Sequence, residues 1–384
     1  MPVRATKRGA ARTRLERDCD VLVCGASFAG LAVARELAGS GARVLVLDRY
    51  ELGERQTSAC AAPTAWLRAL QLTSSVRQSF GELVVHTPGH SARWVLPWSF
   101  STFDYRELCA LLWAQASAGE TRFETATVSG REGEEVHTDR GEVRAPLIVD
   151  ALGWRRVLSN ATTIQPPKAR LSRGLEVHPE GRRQDMELWI DARYVRAGYS
   201  WSFPAGDELR VGVGSFWPAH HVKEPTVRLA GDLGLPAVRY QGNWIPHQLR
   251  AAVEDGVFFA GDSAGHCLPL TAEGIRTALY FGLAAGRELR AVVAGGRARE
   301  HALARYGAFS DSHARKFRWL LSAQRLVGLL TGSRAVTAAV RCVEKERLAR
   351  WAFNHYLAIA PPSFATAAAA PAAARARALA SAVG

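Results

Sequence analysis

The 384-residue sequence predicts an α/β protein organised around a Rossmann-type dinucleotide-binding unit. Three observations predict it. The apolar run Val21–Cys24 leads straight into Gly25-Ala26-Ser27-Phe28-Ala29-Gly30. A second apolar run, Val44–Leu47, closes on Asp48, 23 residues after Gly25. A later strand-like run ends in Gly261-Asp262, and a helix-compatible stretch begins a few residues on, near Gly274-Ile275.

Taken in chain order, Val21–Cys24 reads as a buried parallel strand, because it is apolar on both faces. The helix-compatible stretch from Phe28 to Leu37 is broken by Gly39 and Gly41, and Val44–Leu47 forms the next strand, giving a βαβ unit over about 19–50. Gly25 permits the tight turn and Gly30 lets helix and strand approach, so the helix N-terminus faces a pyrophosphate. Asp48 is placed to accept hydrogen bonds from a ribose. Ser27 stands where the middle glycine is usual, so its side chain must point away from the phosphate or donate to it. Further strand-like runs lie at 83–86, 145–150, 187–190 and 209–214, and helical ones at 104–117, 274–292 and 301–358. From Ser363 the chain is Ala-rich with Pro breaks and reads as a flexible tail.

Composition narrows the class. A hydrophobic fraction of 48% and a mean hydropathy of −0.08 suit a globular protein, and no apolar run reaches membrane-span length. Residues Val21–Ala34 follow a basic N-terminus as a signal peptide would, but their glycine spacing argues for strand, turn and helix. The six cysteines, Cys19, Cys24, Cys60, Cys109, Cys267 and Cys342, contain no CxxC pair, which argues against zinc or iron–sulfur binding and for reduced thiols in a cytoplasm. No metal site is expected. The net charge is +13, of which residues 1–17 supply +5 and residues 301–350 supply +7. No nucleic-acid-binding signature accompanies these blocks, so nucleic acid is not an expected partner. The mixed basic and aromatic segment Arg315–Leu321 reads first as a helix with its apolar side on the core and its charges in water, and also suits a membrane interface.

The segment Tyr199-Ser200-Trp201-Ser202-Phe203-Pro204, followed after seven residues by Gly212-Val213-Gly214, reads YxWxFP…GxG. With the start at Gly25 and the Gly261-Asp262 pair, it resembles the geranylgeranyl reductase family, flavoproteins that saturate isoprenoid double bonds. The resemblance runs from about Asp20 to about Arg290. It implies a Rossmann-type FAD domain, an antiparallel-sheet substrate domain and a helical C-terminal cap. The corresponding divisions are a basic disordered arm (1–17), a discontinuous FAD-binding domain (18–80, 104–165 and 250–300), a substrate domain (81–103 and 166–249), a cap (301–362) and the tail (363–384).

The resemblance also implies roles. Asp262 bonds the ribityl chain of FAD, and the helix N-terminus at Gly274-Ile275 approaches the flavin pyrimidine edge, where its partial positive charge favours the reduced anion. The family commonly reads PLTGEGI here, and this chain has Pro269-Leu270-Thr271-Ala272-Glu273-Gly274-Ile275. Arg106 sits where relatives place a cofactor-contacting Arg; Asp150 and Gly153 end a strand that packs beside the FAD and read as support more than chemistry. Alternation along a strand puts Tyr199, Trp201 and Phe203 on one face, a wall suited to a polyprenyl chain, with Pro204 ending the strand or placing it at an edge, and the spacing to Gly212 counts that glycine with the substrate site through the resemblance. Cys60 falls where related reductases place a Cys beside the flavin, and with Tyr199 and Trp201 is a candidate catalytic residue; His247, His266 and Glu273 are further proton-donor candidates.

The implied function is FAD-dependent saturation of a polyprenyl lipid or quinone tail, by a cytoplasmic protein, peripheral on the inner face of the cell membrane in one reading. The electron donor, NADPH, ferredoxin or another, including a donor protein, is left open. Two alternatives stand beside it: an FAD-dependent aromatic monooxygenase on the same fold, and a non-catalytic prenyl-lipid carrier.

Overall fold

The computed structural model describes residues 13–56, 58–117, 119–161, 165, 166, 168–330 and 334–366. Residues 1–12 and 367–384, which hold most of the expected basic arm and Ala-rich tail, lie outside the described residues.

The first sheet has the spatial order β16 (Val253–Glu254), β17 (Val257–Phe259), β10 (Leu147–Asp150), β1 (Val21–Cys24), β2 (Val44–Asp48), β6 (Thr121–Thr125). Its pairs are parallel except β16 with β17. The central strands β1 and β10 are buried at every position, as a parallel sheet covered on both faces requires. Helix α1 (Phe28–Leu37) packs against α3 (Tyr105–Ala116) and against α5 (Ile275–Val293), where Gly282 and Gly286 remove the side chains that would strike α1. A three-stranded antiparallel sheet, β7 (Val128–Glu132), β8 (Glu135–Thr138) and β9 (Gly141–Arg144), lies between β6 and β10 in sequence.

The second sheet runs β15 (Gln241–Pro246), β11 (Leu171–Val177), β14 (Glu208–Ser215), β13 (Gly198–Ala205), β12 (Glu187–Trp189), β4 (Val76–Thr87), β5 (His90–Phe103), β3 (Ala61–Pro63). Every pair is antiparallel except β12 with β4. Period-two alternation gives it two apolar faces. One, with Val177, Trp189, Val211 and Val213, is covered by α4 (Lys223–Asp232) through Leu229. The other, with Leu83, Val85 and Leu96, is covered by α8 (Arg334–Val343) through Val336 and Val340. Helix α2 (Thr64–Ala69) follows β3 and buries Trp66, whose indole N–H bonds the Ala360 carbonyl at 2.9 Å.

The helical C-terminal region and the parallel sheet expected from the sequence are both present. The stretch 301–358 is not one helix: α6 (Arg299–Asp311), α7 (Ala314–Leu330), α8 and α9 (Glu346–Leu357) divide it, and a short α10 (Ser363–Thr366) follows. Helix α6 joins the core of the first sheet, since fully buried Tyr306 donates to the Phe259 carbonyl at 2.8 Å. Strand β4 runs across the expected boundary between residues 80 and 81. Pro204 lies inside β13, an interior strand, rather than at a sheet edge. It is tolerated there because the β12 ladder has already ended at the Glu187–Ser202 pair.

Candidate active site

The turn after β1 builds the first cradle. Gly25 has φ +110°, and a Cβ there would sit 2.2 Å from the Ala151 carbonyl oxygen. A Cβ on Gly30 would sit 1.8 Å from the Gly25 oxygen, so neither position admits a side chain. Asp48 holds the turn by accepting from the amides of Ala26 (2.8 Å) and Tyr50 (3.0 Å). Burial pushes its carboxyl pKa up against those two bonds, and each oxygen keeps a second lone pair. Ser27 precedes α1 but does not cap it; its hydroxyl accepts from Tyr105 Oη at 3.1 Å. The side chain thus turns towards α3, away from the open helix terminus. Arg106, the next residue of α3, is exposed, and its Cα abuts Gly53, where a Cβ would come within 2.6 Å.

The second cradle follows β17 as a 3₁₀ turn, Gly261–Ala264. Gly261 has φ +65°, and a Cβ there would lie 2.9 Å from the Ala29 Cβ, so this turn packs directly on α1. The Asp262 carboxylate makes no hydrogen bond or ion pair among the described residues; only its backbone carbonyl is engaged, accepting from the Gly265 amide at 3.0 Å. Burial pushes its carboxyl up to about 6, with only the field of Arg250 opposing. A largely buried acceptor without a donor fits a ligand that brings hydroxyl groups, as FAD does. Asp150 is fully buried and fully engaged: it accepts from the amides of Leu152 (2.9 Å) and Leu158 (2.8 Å) and from Ser263 Oγ (2.6 Å). The Gly153 amide donates to the same Ser263 oxygen at 3.1 Å. Asp150 and Gly153 therefore tie the two cradles together. Gly274 immediately precedes α5, Ile275 begins it, and Ala272 adopts φ +50°, the left-handed conformation a glycine would take at no cost.

Tyr199, Trp201 and Phe203 project from one face of β13 and are partly exposed, while Ser200, Ser202 and Pro204 between them are buried. Successive ring centroids lie 6.0 Å and 6.5 Å apart, so the three form a continuous wall. The Trp201 indole lies across β14, where a Cβ on its register partner Gly212 would come within 2.3 Å of the ring. Its N–H donates to Glu176 Oε2 at 3.2 Å. At the other end of the wall Tyr199 Oη donates to the carbonyl of Thr271, in the loop of the second cradle. Burial holds the Tyr199 hydroxyl well above its usual pKa, so it stays protonated. Phe216, whose ring centre is 6.1 Å from that of Tyr199, joins Trp217, His247, Leu321, Gln324, Arg325 and Gly328 around a cavity of about 110 Å³.

The proton-donor candidates separate. Cys60 is fully buried at φ +51°, with burial raising its thiol far above the ordinary value. Its carbonyl accepts from Arg210, the register partner of Phe203, so it belongs to the end of the wall remote from Thr271. His266 is fully buried, stacked on Phe281 at 3.7 Å and bonded to Ser310, away from the wall. His247 bonds Ser172 at 2.8 Å and is pushed down to about 4 by burial, helped by Arg325 and Arg170, so it carries no spare proton at neutral pH. Glu273 is occupied by a bidentate pair with Arg276 and by Tyr356 Oη.

Two networks lie beyond the sequence reading. Under the wall, buried His178 bridges Glu176 (2.8 Å) and Glu208 (3.2 Å), and Glu208 also accepts from Arg210. Beside the second cradle, fully buried Arg276 binds Glu273 and the carbonyls of Tyr356, Leu357 and Ala360, clamping the end of α9 onto the loop. Single charged residues in apolar strands and helices carry no local signal of such pairing; only the Glu273–Arg276 spacing was visible.

No family model matches the chain. It is 24% identical over 343 residues, 79% of this chain and 85% of the relative, to digeranylgeranylglycerophospholipid reductase 3 of Methanosphaera stadtmanae. It is 28% identical over 216 residues, 55% of this chain and 51% of the relative, to geranylgeranyl diphosphate reductase of Rhodobacter capsulatus. In sequence this chain is similar to geranylgeranyl reductases. Its fold is that of the solved geranylgeranyl bacteriochlorophyll reductase-like protein of Thermoplasma acidophilum, at TM-score 0.77 and 16% identity over 91% of this chain and 98% of that one. The fold is shared with a probable FAD-dependent monooxygenase of Pseudomonas aeruginosa, at TM-score 0.65 and 19% identity over 84% and 99%. The relatives are enzymes and the fold is that of flavin-dependent oxidoreductases, as the resemblance implied.

Proposed function

We propose that this chain is an FAD-dependent reductase that saturates carbon–carbon double bonds of a polyprenyl lipid, of geranylgeranyl type or a quinone tail. The observation that carries the reading is the bond from Tyr199 Oη to the Thr271 carbonyl, which joins a half-open aromatic wall to the loop of the second cradle. The names of the sequence relatives support the substrate class.

When bound, FAD supplies the hydride for one alkene carbon. Gly25, Ser27 and Gly30 would hold its pyrophosphate at the open end of α1, Asp48 its adenosine ribose, and Asp262 its ribityl hydroxyls. Gly261 keeps that turn against α1, Gly274 and Ile275 would face the ring from the start of α5, and Asp150 and Gly153 keep the cradles in register. Arg106, exposed near the start of α3, would contact the bound cofactor.

A prenyl chain offers almost no hydrogen-bonding groups, so its recognition falls to shape and apolar area. Tyr199, Trp201 and Phe203, backed by Gly212 and Pro204, supply both and exclude water. The second alkene carbon needs a proton from a group still protonated at neutral pH. Tyr199 and Cys60 both qualify, since burial raises both. Tyr199 stands where wall and loop meet, whereas Cys60 has no exposed surface, so we assign proton delivery to Tyr199. The electrons are replaced by an external donor, whether NADPH, a ferredoxin or another carrier.

We also infer peripheral association with an anionic membrane, because a polyprenyl lipid resides there and residues 301–350 carry +7. No helix among the described residues is long and apolar enough to cross a membrane.

The test is anaerobic incubation of FAD-loaded protein, dithionite and either geranylgeranyl diphosphate or a prenylated phospholipid, followed by mass spectrometry. Saturated product is expected. No saturated product, with NADPH-dependent oxygen consumption and hydroxylation of an aromatic compound in a parallel aerobic incubation, would establish the monooxygenase. Lipid retained without turnover would establish the carrier.

A further inference from the structure

We propose that the outward faces of α7 and α9 are the surface by which this protein docks on an anionic phospholipid bilayer, with α7 standing between the bilayer and the cavity beside the aromatic wall. The proposal rests on the peripheral-membrane reading above and assigns it a surface.

Helix α7 buries Phe317, Leu320 and Gln324 on its inner side. On its outer side Trp319 is 66% exposed, Leu326 57% and Leu329 76%. At 3.6 residues per turn, steps of seven and three keep these side chains on one side of the helix. Arg315 and Arg318 share that side, and neither forms an ion pair among the described residues. Helix α9 repeats the pattern with Leu348 and Trp351 exposed beside Arg347. These two helices hold five of the ten large apolar side chains that stand exposed among the described residues. A helix meeting only water turns charges outward and Trp and Leu inward; here Trp, Leu and Arg share the outer side.

That mixture is what an anionic interface selects. Trp and Leu enter the boundary between headgroups and acyl chains, while Arg keeps its guanidinium at the phosphates. A second copy of this chain is a poorer occupant, because two such basic faces would repel. The inner side of α7 adds the functional link. Leu321, Gln324 and Gly328 line the cavity whose Phe216 contacts Tyr199, so α7 alone, about one helix diameter or roughly 10 Å, separates a docked bilayer from that cavity.

The experiment is co-sedimentation of the full chain, loaded with FAD, on phosphatidylcholine vesicles and on vesicles containing phosphatidylglycerol. The variants are Trp319→Ala/Leu329→Ala, Trp351→Ala and Arg315→Glu/Arg318→Glu, with Val95→Ala on β5 as an exposed apolar control. Thermal melting and bound flavin verify that each variant is folded. The wild type and the control should bind the anionic vesicles. The Trp319/Leu329 variant should bind on the order of tenfold more weakly, Trp351→Ala should also weaken binding, and the charge reversal should abolish the anionic preference. Variants that bind as the wild type does overturn this surface while leaving membrane binding intact. A wild type that binds neither vesicle overturns the membrane reading itself. A wild type that self-associates through the same residues, with no vesicle binding, makes a second copy the occupant.

Discussion

Trp201 lies flat over Gly212, so close that a Cβ on the glycine would come within 2.3 Å of the indole. The glycine is there for its neighbour's side chain, since its own backbone is ordinary extended strand paired with Trp201 across the β13–β14 ladder. The two residues are one structural unit. Gly212→Ala should destabilise the protein by about 1–3 kcal/mol and lower substrate reduction while FAD stays bound. Adding Trp201→Ala should return part of the lost stability, because the clash with the indole is gone while the 2.8 Å approach to the Glu176 Cβ remains. Thermal melts of the two single variants and the double variant give the coupling directly, and strict additivity would mean the two residues do not touch.

Trp201→Ala alone tests the wall. A core tryptophan costs roughly 3–5 kcal/mol when truncated. Trp201 is only partly buried, so its loss should cost less stability and more turnover. Thermal stability, flavin content and prenyl reduction would be compared with wild type. A variant that reduces lipid at the wild-type rate removes the motif from the active site, and one that unfolds returns it to the core.

Asp262 makes FAD binding pH-dependent. In the free protein burial holds its carboxyl at about 6, above the ordinary value near 4, so folding favours the protonated form. Hydroxyl donors from FAD favour the charged form and pull that pKa down. Binding should therefore release a proton below about pH 6, with affinity rising through that range and levelling above it. Asp262→Asn should flatten the profile, and Asp262→Ala should weaken binding by about 1–3 kcal/mol. Flavin fluorescence titrations across this range are the measurement, and a wild-type affinity that falls as pH rises would contradict the assignment.

His178 should set an alkaline limit. Burial alone would lower its pKa, but the hydrogen bonds to Glu176 and Glu208 outweigh burial and raise it to about 9. Its folded pKa lies above the unfolded value near 6.5, so the stability it adds is complete below that value and is lost as pH rises through about 9. His178→Leu leaves the buried Glu176 without its cation, while Glu208 keeps Arg210, and should cost on the order of 3 kcal/mol at neutral pH. Melting temperatures from about pH 6 to 10 would show a decline in wild type that the variant lacks.

Tyr199→Phe removes one oxygen, and with it both the bond to Thr271 and the proton assigned to the reaction. Prenyl reduction should fall by on the order of 100-fold, with FAD binding nearly unchanged. Cys60→Ser should retain most activity. Single-turnover rates with pre-reduced protein decide the matter, and the reverse order of effects would hand the proton to Cys60.

Much of this was legible from residue order, and the reason is local. Val21–Cys24, Gly25, Gly30 and Asp48 describe a strand, a turn and a strand whose conformations depend on near neighbours. Tyr199, Trp201 and Phe203 share a face because a strand alternates its side chains, whatever surrounds it. The length and apolar period of α3 and α5 were likewise written in their own residues.

What only the tertiary structure decided involves partners far apart in the chain. Asp262 stands in the turn just after β17 and Asp150 ends β10. One is left without a partner and the other is saturated by Leu152, Leu158 and Ser263, a difference no local pattern carries. Glu176, His178 and Glu208 meet under Trp201 only because β11 and β14 pair in one register. Tyr199 reaches Thr271 across 72 residues, and Arg276 gathers carbonyls some 80 residues away. Local sterics and side-chain alternation act within a few residues and can be read in order. Burial, charge pairing and the choice of which side chain stays free are set by the packing of distant segments, and they exist only once the chain has folded.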